Sequence, residues 1–119
     1  MELRTKRVYD EPSPDDGTRV LADRLWPRGI TRERAHVALW AKEVAPSNEL
    51  RQWYAHDPER FDEFEARYRA ELDTPEGQAA LRAVVDAVEP GGPLTLLTST
   101  TAIELSHLAV LTKVLSELA

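Results

Sequence analysis

Residues 90–101 constrain the fold of this chain more than any other stretch. Leu94-Thr95-Leu96-Leu97 is a short apolar run between Pro90-Gly91-Gly92-Pro93 and Thr98-Ser99-Thr100-Thr101. Such a run, bounded by turn formers on both sides, reads as a strand of the kind buried inside a parallel sheet.

The segments around it alternate in type. Arg4–Tyr9 has strand composition, with Thr5, Val8 and Tyr9 β-branched or aromatic. Residues 10–17 hold two prolines, a glycine and four acids and form a loop. Thr18–Leu25 alternates as a strand until Trp26-Pro27-Arg28-Gly29 breaks it, because proline cannot donate to a ladder and glycine permits the turn. Thr31 caps a short helix through Ala35. Val37–Val44 fits strand or helix; the nearby Pro46, with Ser47 as the next cap, favours a strand. Helices then follow from Ser47 to Tyr54, from Asp57-Pro58 with Phe61, Phe64, Tyr68 and Leu72 on one face, and from Thr74-Pro75 with Leu81, Val84, Val85 and Val88 as its stripe. Thr101 and Glu104 fit a capping box for a last helix over 102–118, apolar on most sides. Strands alternating with helices argue an α/β sheet that is at least partly parallel. The expected fold is one domain over residues 1–119. It is a small three-layer, Rossmann-like α/β structure with a mostly parallel sheet of about four strands flanked by helices.

Charge narrows the function. The net charge is −6, which disfavours non-specific nucleic-acid binding. It is unevenly spread: residues 1–56 hold ten Lys/Arg against nine Asp/Glu, and residues 57–119 hold five against twelve. Within residues 17–42, six cations face two acids. A basic segment inside an acidic chain reads as a patch for one anion, although Arg32 and Arg34 read better as a solvated helix face. No apolar run approaches bilayer length, and Glu2 to Arg7 is charged where a secretory signal would be apolar, so a cytoplasmic protein without membrane contact is expected. With no cysteine, disulfides, thiolate metal sites and a cysteine nucleophile are excluded.

In open parallel sheets, ligands bind at the carboxyl ends of strands. Two loops qualify, after Leu25 and after Leu97. A strand ending in a Pro/Gly bend aims Arg24 and Arg28 into one crevice, where a guanidinium fork matches phosphate or carboxylate. Asp23 would hold a guanidinium, and an ion-pair cluster that merely locks the bend is the competing reading. Lys42 and Arg51 add charge. Trp26, Trp40 and Trp53 read as core, with stacking on a ring as the alternative. Thr98, Ser99 and Thr100 combine hydroxyls with an expected helix N-terminus. No Gly/Lys P-loop and no Gly-x-Ser-x-Gly elbow is present. His56, with Asp57, fits an acid–base pair; capping accounts for Asp57, and His56 stays open between the two. His107 lies in an apolar helix and reads as a satisfied core histidine. His36, His56 and His107 lack metal-ligand spacing, so neither metal nor cofactor is expected.

Arg7-Val8-Tyr9-Asp10, Asp23-Arg24-Leu25-Trp26-Pro27-Arg28-Gly29, Trp40 with Lys42, Ala45-Pro46-Ser47, Leu50-Arg51 with Trp53, and His56-Asp57-Pro58 with Arg60 make a specific pattern. Phe64, Arg67-Tyr68, Glu71-Leu72 and Leu94–Leu97 continue it. The pattern resembles the DUF488 family, of YeaO-like type, over nearly the whole chain. The resemblance implies a compact α/β domain of uncharacterised function and supplies no mechanism. After the last strand such proteins continue with an aromatic residue, a Lys/Arg-Asp pair and a His-Asn pair. Here Thr98–Ala102 and Leu105-Ser106 stand instead, with only His107 matching a polar position. The chain has either lost an activity or takes a different ligand.

Three functions compete. The first is binding of a small phosphorylated or carboxylated ligand clamped by Arg24 and Arg28, with His56 or Asp23 as the acid–base group if chemistry occurs. The second is an interaction or regulatory module, a homodimer through Leu108, Leu111, Leu115 and Leu118 of the last helix. Nucleic-acid association ranks third.

Overall fold

The computed structural model describes residues 1–118. The apolar run becomes β4, Leu94–Thr98, buried at every residue. It lies between β1 (Leu3–Arg7) and β2 (Thr18–Leu21), and β2 carries β3 (Leu39–Trp40) at the edge, giving the order β1-β4-β2-β3. All three pairings are parallel. Register sets Arg7 opposite Thr98, Leu21 opposite Leu97 and Trp40 opposite Leu21, so the strands end in one row.

The helices are α1 (Arg32–Ala35), α2 (Asn48–Tyr54), α3 (Phe61–Leu72), α4 (Pro75–Ala87) and α5 (His107–Leu118). Hydroxyl and carboxylate caps start several of them. Thr31 accepts from Arg34 N, Ser47 from Leu50 N and Thr74 from Gly77 N, each satisfying a donor the helix itself leaves free. Asp57 caps the Pro58–Arg60 3-10 turn that runs into α3.

Side-chain alternation divides the core in two. Val20, Leu94 and Leu96 meet Phe64, Tyr68, Leu81, Leu108, Leu111 and Leu115 of α3, α4 and α5. Leu21 and Leu97 point the other way, to Ala35 and Val37, with Trp26 and Trp40 against them. The result is three layers, one face covered by helices and the other by α1 and its flanking turns. Buried Thr95 sits on β4 and donates its hydroxyl to Asp16 O. No helix among the described residues is long and apolar enough to cross a membrane.

Several boundaries differ from the sequence expectation. β1 runs Leu3–Arg7 instead of Arg4–Tyr9, because Asp10 folds back and its carboxylate accepts from Arg7 N. β2 ends at Leu21 instead of Leu25, since Asp23 turns its carboxylate to the end of β4. β3 has two residues where Val37–Val44 was read: Ala41 N still donates to Leu21 O, and then Lys42–Val44 coils into a 3-10 turn. The Thr101/Glu104 capping box does not form. Ile103–Leu105 is a separate 3-10 turn, and Ser106 Oγ accepts from Leu108 N at the start of α5. Leu108, Leu111 and Leu115 are fully buried within the chain and only Leu118 is exposed, so the leucine stripe expected at a homodimer contact is spent on the core.

Candidate functional site

At the row of strand ends lies a cavity of about 470 Å³. Chain direction explains its position. After β2 the chain crosses to the α1 face, and after β4 it crosses to the α5 face, so the loops of two neighbouring strands part. A crevice opens at such a switch point in an open parallel sheet.

The β2 and β4 loops are tied by Asp23. One carboxylate oxygen accepts from Thr98 Oγ1 at 2.7 Å, and the other accepts from Ser99 N at 2.8 Å and Ser99 Oγ at 2.9 Å. His107 enters from the start of α5. Its Nε2 lies 2.9 Å from Ala22 O and 3.4 Å from Asp23 Oδ1. A carbonyl only accepts, so Nε2 carries the proton and donates to Ala22 O. Burial pushes the His107 pKa below its ordinary value; the Asp23 charge and the Ala22 bond oppose this without winning, and nearby His56 and Arg51 push the same way as burial. The ring is therefore neutral at neutral pH. Tyr54, on the opposite wall, donates to Leu105 O at 2.6 Å, and burial, with the Asp57 charge adding to it, raises its pKa.

Four arginines line the cavity: Arg7, Arg24, Arg28 and Arg51. Arg7 Nη2 donates to Ser99 O at 2.7 Å and its Nε to Thr100 O at 3.3 Å. Arg24 Nη2 donates to Ala45 O at 2.9 Å and its Nε to Pro46 O at 3.2 Å. Those carbonyls belong to a segment held from behind as well. Tyr68 donates to Val44 O, and Glu71 accepts from Ser47 N and Ser47 Oγ. Arg28 and Arg51 are exposed. Among the described residues none of the four is ion-paired with a carboxylate. Carbonyl bonds orient a guanidinium but leave its charge in place. Asp23 is the one acid on the lining, and both its oxygens are occupied.

The structure thus gathers Asp23, Arg24, Arg28, Arg51, His56, Thr98, Ser99 and Thr100 round one space. Lys42 lies outside it. β3 stops at Trp40, so the two-residue strand period does not reach Lys42, whose Nζ sits 5.3 Å over the Trp40 ring. His56 is exposed at the rim with φ of +57°, directly after Ala55 at +47°. Two successive left-handed non-glycine residues are uncommon and turn the chain sharply after α2. The Thr98–Thr100 hydroxyls do not meet a helix N-terminus, since α5 begins only at His107; Thr98 and Ser99 serve Asp23 instead. The tryptophans are engaged structurally. Trp26 Nε1 donates to Ile30 O and Trp40 Nε1 to Asp23 O, their rings meet edge to face at 5.4 Å, and Trp53 carries the Arg60 and Arg67 guanidinium groups. Sequence reading missed Arg7 at the site; His107 is the satisfied, largely buried histidine expected, and it also lines the cavity. The signal for Arg7 is its place at the end of β1, visible only once β1 pairs with β4. Among the described residues no three His, Cys, Asp or Glu side chains cluster as metal ligands would.

Fold and site together define a small parallel α/β domain with a cationic crevice at its carboxyl edge. The chain belongs to the DUF488 family: the family model described as the inactive DUF488-N3 subclade matches residues 2–119. It is similar to the uncharacterized protein Rv3073c of Mycobacterium tuberculosis, 46% identical over 114 residues, covering 96% of this chain and 93% of that protein. An uncharacterized protein of Mycobacterium bovis matches to the same extent. The uncharacterized protein YeaO of Escherichia coli is 38% identical over 111 residues, covering 93% of this chain and 94% of its own length. No solved structure matches the chain.

Proposed function

We propose that this chain binds a small organic anion, phosphorylated or carboxylated, in the crevice between the β2 and β4 loops, and that it binds without turning the ligand over. The observation that carries the reading is the charge imbalance: among the described residues four arginines, none ion-paired with a carboxylate, line one cavity with a single acid, Asp23, which is already bonded to Thr98 and Ser99. A cleft lined by several unneutralised guanidinium groups attracts negative charge, because its walls focus the field. Arg7 and Arg24 are held by backbone carbonyls and form the fixed part of the clamp. Arg28 and Arg51 stand at the exposed side; Arg51 Nη2 donates to Asn48 Oδ1 at 3.2 Å, a surface bond that a ligand would have to compete with.

Binding without turnover fits the condition of the polar groups. Asp23 accepts three hydrogen bonds from Thr98 and Ser99, whose hydroxyl protons are thereby committed to it. The description of the matching family as an inactive subclade supports the same reading.

The test is thermal shift of wild type and Arg28→Gln/Arg51→Gln against phosphate, sulfate and small carboxylates. Both residues are exposed, and an unchanged melting temperature of the ligand-free variant checks that it folds. A ligand at 100 times its Kd stabilises the native state by about 2.7 kcal/mol, a rise of about 10 °C for a domain of this size. The rise is expected in wild type and absent in the variant. No rise with any anion, or an equal rise in both proteins, overturns the proposal.

A further inference from the structure

The cavity asks for more than an anionic group. Its volume of about 470 Å³ falls within the range of about 300–1,000 Å³ that holds organic ligands, far more than an inorganic anion fills. Its lining also carries exposed apolar side chains, in a chain of net charge −6. Among the described residues four large apolar side chains stand exposed: Met1, Tyr9, Leu25 and Leu118. Two of these belong to the ends of the chain. The other two, Tyr9 and Leu25, both line this cavity, and Leu25 is the most exposed of the four at 64%. Single exposed apolar residues are ordinary. Two converging on the rim of one charged cavity need a reason, because each leaves hydrocarbon in water that the fold has other means to cover.

The geometry holds the Tyr9 ring and the loop that carries Leu25. Tyr9 is fixed at both ends, its hydroxyl donating to Arg28 O at 2.8 Å and its ring lying 4.9 Å under the Arg7 guanidinium. Leu25 rides on the β2 loop between Asp23, anchored to β4, and Trp26, anchored through Ile30. Part-buried Arg7 and Arg24 thus lie deeper in the wall, and Arg28, Arg51, Tyr9 and Leu25 stand at its exposed side. Guanidinium planes and a tyrosine ring favour a flat partner, since both stack on aromatic faces.

Resting on the anion reading above, we infer that the ligand is an organic anion with a planar apolar body, its charged group on Arg7, Arg24, Arg28 and Arg51 and its ring against Leu25 and Tyr9. The class is that of an aryl phosphate or aryl carboxylate, as distinct from an inorganic ion or a polar sugar phosphate.

Isothermal titration of the full chain with inorganic phosphate, ribose 5-phosphate and phenyl phosphate tests this. Covering about 60 Å² of apolar surface corresponds to about tenfold in Kd, so phenyl phosphate is expected to bind at least tenfold tighter than inorganic phosphate. Ribose 5-phosphate should gain less. In Leu25→Ser the preference for phenyl phosphate should fall to about threefold or less. Leu25 is too exposed to support the core, and an unchanged melting temperature of the free variant confirms that it folds. Equal affinity for phenyl and inorganic phosphate overturns the inference and leaves the anion site standing. Ribose 5-phosphate matching phenyl phosphate, or a preference that survives Leu25→Ser, also overturns it. Absence of binding by all three phosphates, with no shift from carboxylates either, brings down the anion reading itself.

Discussion

Asp16 is a carboxylate that the fold cannot leave unpaired. It is 3% exposed, as is Arg19, whose Nη1 donates to it at 2.7 Å. Lys6 Nζ and Ser13 N donate as well. Burial alone would raise its pKa, but the bonds from Arg19, Lys6 and Ser13 outweigh it and hold the carboxyl below its ordinary value. A lowered carboxylate pKa contributes stability above the unfolded value, near about 3.9, and loses it as pH falls through the folded value. Asp16→Asn breaks a buried pair, so it is expected to lose about 3 kcal/mol at pH 7. The gap between wild type and variant should narrow in urea melts below about pH 4. A gap independent of pH would place the effect in packing. Site residues divide in the same terms. Arg24 and Arg28 were legible because a local excess of arginine over residues 17–42 is visible in one dimension. Arg7 was not, because nothing in its neighbourhood announces that Ser99 O and Thr100 O will arrive beside it. His107 is satisfied and largely buried, as its apolar helix suggests, and because it stands at the first turn its ring also reaches the strand ends.

Elements with a local stop or start signal matched their expectation. Ser47, Thr31 and Thr74 cap as their sequence positions suggest, and β4 is buried throughout. Failure came where a distant contact competed. Val37–Val44 has strand composition, but β2 offers it pairing partners only near Leu39–Trp40, and the chain coils once that edge runs out. Thr101 and Glu104 had capping-box spacing, yet Ser106 took the role. Glycines separate two kinds of constraint at this scale. Gly17 has φ of +64°, and a Cβ there would meet Pro93 O at 2.2 Å, against the turn that seats Thr18 N on Pro93 O. Gly29 has φ of +77° with open space around it. Gly17→Ala is expected to cost well over about 1 kcal/mol, lowering the melting temperature by more than about 4 °C, and Gly29→Ala only its conformational share of about 1 kcal/mol. Equal losses in calorimetry would mean that the Pro93 contact yields without cost.

At the scale of the whole molecule, a net charge of −6 surrounds a crevice lined by four arginines. A long polyanion meets the whole surface, whereas a small anion meets only the crevice. Fluorescence anisotropy with a labelled DNA duplex at physiological salt is expected to show no saturable binding at micromolar protein. Tight binding that weakens steeply with salt would overturn that expectation. The three-layer parallel arrangement was legible from alternating element types, but strand order was not, because nothing local records which strands will be neighbours. That order has a temporal consequence. β1 and β2 lie on either side of a strand that follows β2 by more than seventy residues, so neither has its principal partner when it leaves the ribosome. At synthesis rates of about 5–20 residues per second, the first two strands wait roughly 4–15 s before Leu94–Thr98 appears. Even with β3 beside β2, the amino-terminal half is born with the two edges that β4 will join left open, and its period of exposure to chaperones and to misassociation is set by the clock of translation.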